Sequence, residues 1–219
     1  MSSKRCKPLP DVLASWATAW IASEARRKPL TGTLESLLEI LFGLFSFAAL
    51  LRFLLQLVDA PYRNPVSDFA ISLSDFAVRR LQRVMPGRLG IAYAALLWAW
   101  VLECVLLTLN LTLFGMIRFS ELMYFLPWVF AMGAVSLLRH GLYILMGAVF
   151  VLAVLSWVNP YSPVMPAADA LTRPFLNPLR RFIPMLGSVD LSPVVLMVIF
   201  QLTLTIIVGG LEMLVQRLM

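Results

Sequence analysis

Apolar residues fall in four long runs, separated by stretches in which arginine, aspartate and proline collect. The first strong run extends from about Leu37 to Val58 and ends near Asp59; Pro61-Tyr62-Arg63-Asn64-Pro65 follows, and proline cannot continue a helix. Residues 66 to 86 mix Val66, Phe69, Leu73, Phe76 and Leu81 with Asp68, Asp75, Arg79, Arg80 and Arg83, which predicts an amphipathic helix lying along a membrane surface. A second span is expected from about Ile91 to Gly115. From Met123 to Val158 the chain is apolar for 36 residues except at Arg139 and His140, too long for one ordinary span and short for two. A turn at Arg139-His140-Gly141 would give two short spans, whereas one long tilted helix or a re-entrant first half would give one. The last loop carries Pro160, Pro163, Pro166, Pro174, Pro178, Pro184 and Pro193, and the final span runs from about Pro193 to Leu214.

Composition turns these runs into a solvent assignment. Of 219 residues, 60% are hydrophobic and 14% charged, a balance that water-soluble domains rarely show. The expected fold class is therefore all-α and integral to a membrane. The leader, residues 1 to 33, has basic flanks around a stretch from Val12 to Ala22 too short to span. Val12, Trp16 and Trp20 share a helical face there, which favours an interfacial helix over a signal peptide; a start-site artefact is the alternative.

Net charge is +6, with the basic residues almost all outside the apolar runs, where they suit anionic lipid and need no nucleic acid. The cysteines, Cys6 and Cys104, form no CxxC pair, and His140 is the single histidine, so neither a zinc site nor a covalent haem site is expected. No catalytic set of nucleophile, base and orienting group is visible, nor a phosphate-binding glycine loop. The expectation is no enzyme activity and no cofactor.

A repeat organises the chain. Pro65 matches Pro163, Val66 Val164, Ala70 Ala168, Leu73 Leu171, Leu81 Leu179, Arg83 Arg181 and Pro86 Pro184, each 98 positions later. Composition alone would give about one or two such identities in a window of this size. The chain thus divides into a leader (1–33), a first repeat (34–118), an inserted hydrophobic segment (119–134) and a second repeat (135–219), each repeat being helix, amphipathic loop, helix. Four core spans are expected, with 123–138 as a candidate extra membrane segment. If that segment makes no separate crossing the repeats are parallel, with both arginine loops on one side; if it crosses, they are inverted. Charge counting is split, since the leader and the arginine loops both want to be cytoplasmic, and parallel repeats with cytoplasmic arginine loops are favoured.

The second repeat reads Ser156-Trp157-Val158-Asn159-Pro160-Tyr161-Ser162-Pro163, then Pro174-Phe175-Leu176-Asn177-Pro178-Leu179-Arg180-Arg181-Phe182-Ile183-Pro184, then Gly187-Ser188-Val189-Asp190-Leu191-Ser192-Pro193. These strings resemble the YggT family. Asn64-Pro65 and Arg83-Val84-Met85-Pro86 carry a weaker form, and the first repeat lacks the Pro-Leu-Arg-Arg and Asp-Leu-Ser-Pro strings. The resemblance implies a small multi-pass protein of the bacterial inner membrane, of a family linked to osmotic stress and potassium uptake, with plastid and cyanobacterial members linked to cytochrome b6 haem attachment and to cell or nucleoid organisation.

Three groups of residues are candidates for function. Arg173, Arg180 and Arg181, with Arg79, Arg80 and Arg83, suit lipid phosphates or an acidic partner, and Pro178 and Pro184 bracket a stiff piece that holds two of them. Asp190 or Ser192 is expected to cap the last helix with Pro193 in its first turn, and Asp190 to pair with Arg180 or Arg181. Within the membrane, Glu103 and Gln201 stand at equivalent depths and are expected to hydrogen-bond or to form an ion site, while Arg52 is expected to snorkel and His140 to sit at a turn or interface. The two functions weighed are a scaffold or assembly factor contacting lipids and membrane proteins, and a component of an oligomeric ion channel or transporter.

Overall fold

A computed structural model describes residues 29–61, 64–82, 88–113, 122–182 and 190–217. The predicted leader helix lies outside them. The chain divides into two units, residues 1–40 and 41–219. Of the first, residues 29–40 are described; they are helical, and the Ser36 hydroxyl donates to the Gly32 carbonyl at 3.0 Å.

Among the described residues the protein is built of helices alone: α1 (Pro29–Leu57), α2 (Pro65–Gln82), α3 (Arg88–Leu113), α4 (Leu122–Val158), α5 (Met165–Phe182) and α6 (Ser192–Arg217). Four are long and apolar enough to cross a membrane, at Gly32–Leu57, Ala92–Leu113, Met123–Val158 and Ser192–Arg217. The first begins earlier than the hydropathy run suggested, because α1 opens at Pro29, where a missing N–H costs nothing. It stops at a left-handed residue, Asp59, with φ of 48°. There the Ala60 amide donates to Leu55 O at 2.9 Å and the Asp59 amide to Gln56 O at 3.3 Å, the paired bonds of a Schellman ending.

Asn64 then starts α2. Its side-chain oxygen accepts the Ser67 amide at 2.9 Å, and its amide group donates to the Pro61 carbonyl and the Ser67 hydroxyl, with Pro65 as first helical residue. Ser67, Ala70, Ser74, Ala77 and Val78 are buried at helical spacing, while Asp68, Phe69, Phe76, Arg79 and Arg80 are exposed on the other side.

The stretch from Met123 to Val158 is one continuous helix of 37 residues, α4, without a turn at Arg139-His140-Gly141. At 1.5 Å per residue it is about 55 Å long, well beyond a bilayer core of about 30 Å. The helix continues because both polar side chains find partners on neighbouring helices, Arg139 on Glu212 and His140 on Glu103. The segment 123–138 is the first half of this helix rather than an extra crossing. It packs Phe125, Trp128 and Val129 on Trp100, Cys104 and Leu111 of α3, and Val135 on Leu204 and Val208 of α6. The approach to α3 is close: a Cβ at Gly133 would lie 2.7 Å from the Cys104 sulfur, so any side chain there would force the thiol to move.

With α4 a single helix, α2 and α5 come to the same end of the bundle. Ala70 of α2 and Ala167 and Leu171 of α5 share one buried cluster with Leu51, Leu55, Ala99 and Ile144. A second cluster, Val149, Leu152, Ala168, Leu176, Leu196 and Phe200, joins α4, α5 and α6. The proline-rich segment expected as a loop is largely the helix α5, with Pro174 and Pro178 inside it. Helix is tolerated because the prolines lie on its exposed face, opposite buried Ala167, Ala168, Leu171, Thr172 and Leu176. In α6 a π turn, Thr203–Val208, follows directly on Gln201 and Leu202.

Candidate functional site

The arginines divide into exposed and tethered ones. On α5, Arg173 pairs with Asp169 one turn earlier and remains 63% exposed, so its other nitrogens face outward. Arg180 Nε lies 3.0 Å from Asp190 Oδ2, and Asp190 Oδ1 accepts the Ser192 amide at 2.9 Å. One carboxylate thus ties the last turn of α5 to the first of α6, where Pro193 sits. Asp190 is the group that satisfies the helix start; the Ser192 hydroxyl is buried and makes no hydrogen bond. Burial opposes the charge on Asp190, but Ser192 and the Arg180 guanidinium outweigh it and hold the carboxyl below the usual aspartate value. Arg181 is exposed. Pro184 and Arg83 lie outside the described residues, so the expected bracket of Pro178 and Pro184 reduces to Pro178 within a helix. On α2, Arg79 pairs with Asp75 and Arg80 is exposed.

Arg52 does not snorkel. It is buried, and its Nη1 lies 3.2 Å from the Ser74 hydroxyl and 3.3 Å from Asp75 Oδ1. Helix α2 folds over the end of α1 and presents a carboxylate nearer than any headgroup, and a guanidinium leaving water is best held by such a pair.

Glu103 is buried near the middle of α3, but its partner is not Gln201. The Ser46 hydroxyl of α1 donates to Glu103 Oε1 at 2.7 Å, and His140 Nδ1 of α4 lies 3.2 Å from the same oxygen. The repeat placed Glu103 and Gln201 at one depth, but depth does not fix the face. The Glu103 side of α3 is covered by α1 and α4, whereas Gln201 is exposed on α6. His140, expected at a turn or an interface, is a mid-helix residue at the interface of α4 with α3. Ser46, His140, Ser74 and Glu212 were the partners missed. Ser46, Glu103 and His140 stand near the middle of three different apolar runs, and that shared depth was the available signal. Among the described residues no group of three or more His, Cys, Asp or Glu side chains gathers to hold a metal ion.

The ends of α1 and α5 also border an open groove of about 970 Å³, which has Asp59 and Pro61 on one wall and Asp169, Arg173 and Asn177 on the other. A family model for CCB3/YggT matches residues 31–114 and 131–211, one copy per repeat. The chain belongs to the CCB3/YggT family. An uncharacterized protein of Vibrio alginolyticus, named for its place in the proC 3′ region, is 34% identical over 170 residues, 76% of this chain and 88% of that protein. The uncharacterized protein YggT of Escherichia coli K12 is 30% identical over 168 residues, 76% of this chain and 85% of its own length. An uncharacterized Pseudomonas aeruginosa protein is 33% identical over 160 residues, 72% of this chain and 79% of its own. No solved structure matches the chain. The segment between the two CCB3/YggT matches contains the first turns of α4, which makes the long helix the joint between the repeats.

Proposed function

We propose that this CCB3/YggT protein is a non-enzymatic scaffold of the bacterial inner membrane, whose two amphipathic helices present arginines at the cytoplasmic face to lipid headgroups and a protein partner. The observation that carries this reading is the gathering of α2 and α5 at one end of the bundle, with Arg79, Arg80, Arg173, Arg180 and Arg181 exposed there. Exposed guanidinium groups at headgroup level suit phosphate and carboxylate, and a positive face is retained on the cytoplasmic side. Arg80 and Arg181 make no ion pair among the described residues, so changing them tests contact rather than stability. With Cys6 replaced by serine, cysteines at positions 80 and 181 are expected to react with a membrane-impermeant maleimide only after permeabilisation, and from one side. Arg80→Gln with Arg181→Gln is expected to reduce site-specific crosslinking to the partner severalfold at unchanged thermal stability. Labelling from opposite sides, or crosslinking indifferent to the arginines, would overturn the reading.

A second reading, an oligomeric channel or transporter component in osmotic stress or potassium uptake, draws on the buried carboxylate of Glu103 beside His140. Gln201 could join that site only across a contact between chains, because it faces outward from α6. Ion flux into reconstituted vesicles that is unchanged by Glu103→Gln would exclude this reading.

A further inference from the structure

The groove between the end of α1 and the first turns of α5 carries acceptors that lack donors. Asp59 is held in the left-handed conformation at the rim and pairs with no cation among the described residues. Ala170 lines the same groove, and its carbonyl has no amide donor four positions on, because that residue is Pro174. Next to these, Arg173 is fixed by Asp169 through one nitrogen, leaving further N–H groups free. The walls therefore offer a negative, acceptor-only corner beside a guanidinium.

The depth of the groove says what meets it. Leu57 and Val58, the last apolar residues of the first span, form part of its lining. Trp157 in the last turn of α4 and Tyr161 at the groove are 75% and 94% exposed, and such aromatics settle at the headgroup level of a bilayer. A ligand at that depth with adjacent positive and negative groups, the positive one able to donate hydrogen bonds, is a zwitterionic lipid headgroup.

We infer that the groove binds the headgroup of a phospholipid bearing a primary ammonium, the ammonium donating to Asp59 and the Ala170 carbonyl and the phosphodiester lying against Arg173. This rests on the reading that this end of the bundle meets headgroups, and adds which headgroup. A quaternary choline ammonium has the same charge but no N–H to donate, so the site discriminates the two by hydrogen bonding.

The test uses the full-length purified protein in detergent, titrated with dihexanoyl phosphatidylethanolamine, phosphatidylcholine or phosphatidylglycerol and read by native mass spectrometry. The ethanolamine lipid is expected to bind roughly tenfold more tightly than either of the others, the worth of one charge-assisted hydrogen bond. Asp59→Asn, which keeps a residue that accepts the left-handed backbone, is expected to abolish the preference over choline. Arg173→Gln is expected to weaken all three lipids together. Equal binding of the ethanolamine and choline lipids, or a preference that survives Asp59→Asn, overturns the inference. So does ethanolamine binding indifferent to Arg173→Gln, which would mark the groove as a seat for a partner's lysine. Absence of the preference in the unsubstituted protein, with the crosslinks at positions 80 and 181 intact, would remove this inference and leave the scaffold reading standing.

Discussion

The two repeats share a packing plan and differ in where they keep their charges. Ser74 and Thr172 occupy equivalent places on α2 and α5, both buried, and each donates to the carbonyl four residues earlier, Ala70 O and Ala168 O. Val78 and Leu176, also equivalent, are both fully buried. Around this common face the chemistry separates. The first repeat turns two charges inward, Arg52 onto Ser74 and Asp75, and Glu103 onto Ser46 and His140, and keeps Arg79 and Arg80 outside. At the corresponding places the second repeat has Phe150, Thr172, Arg173, Gln201 and Ile144. Two of its ion pairs, Arg173 with Asp169 and Arg180 with Asp190, lie at the surface, where the first repeat has Ile71, Asp75, Gln82 and Ala92, and a third, Arg139 with Glu212, joins α4 to α6.

Duplication therefore preserved the buried face on which α2 and α5 pack and left the polar positions free to diverge. A charge removed from water is costly unless paired, and once paired it holds its neighbours in place. The first repeat uses this to fasten α1, α2, α3 and α4 to one another. In the second repeat the core of Val149, Leu152, Leu176, Leu196 and Phe200 does the fastening by packing. Its arginines remain available to whatever meets the membrane face.

The sharpest way to break this comparison is to strand a buried charge. Asp75→Ala leaves the Arg52 guanidinium inside the bundle with only Ser74, and is expected to cost about 3–5 kcal/mol in detergent unfolding titrations. Adding Arg52→Phe, which copies Phe150 of the second repeat, is expected to recover most of that loss. Equal stability of the single and double variants would mean that Arg52 does not depend on Asp75 and that the inward pairing holds nothing together.

A smaller effect is expected at the middle of the membrane. Glu103→Leu leaves the buried Ser46 hydroxyl without its acceptor and removes the carboxylate beside His140, at a cost of about 1–3 kcal/mol. Glu103→Gln installs the residue that the second repeat carries and still accepts from Ser46, so its loss should stay within about 1 kcal/mol. The same titrations rank the two. Glutamine costing more than leucine would mean that the charge, rather than the hydrogen bond, is what α3 contributes.

The parts of this plan legible in the sequence were those set by local pattern. Asn64-Pro65 announces a helix start by chemistry within four residues, and the helix of α2 follows from its periodicity. Its buried face, however, is Ala70, Ser74, Ala77 and Val78, while Phe69 and Phe76 of the expected apolar set are exposed. The Asp190-Leu191-Ser192-Pro193 string placed Asp190 at the start of α6, and Arg180 lies only ten residues from it. The illegible parts depend on distant partners. A turn at Arg139 and His140 stood open beside one long helix because their partners, Glu212 and Glu103, are 73 and 37 residues away and nothing local announces them. Pro174 and Pro178 read as loop residues because nothing local says that their face of α5 is the uncovered one. Glu103 and Gln201 were paired by depth, and the face each occupies is decided by which helices happen to cover it.

The smallest expected effect lies at the surface pair of the second repeat, and it has a pH signature. The Asp190 carboxyl is held below its ordinary value in the folded protein, so its ionised form is the one that folding favours. Its contribution is therefore complete above the unfolded value of about 3.9 and is lost as pH falls through the lower folded value. The pair is partly exposed, and Asp190→Asn is expected to cost only about 0.2–1 kcal/mol at neutral pH. The difference in thermal midpoint between parent and variant should hold constant from pH 7 to about 5 and close below about pH 4, as the parent's carboxyl takes up its proton. High salt should narrow it too, since an exposed pair is screened. The first repeat predicts the opposite behaviour for its inward charges, because Arg52 is shielded from salt by α2. A salt-insensitive gap at Asp190 together with a salt-sensitive one at Asp75 would reverse the assignment of interior and surface between the repeats.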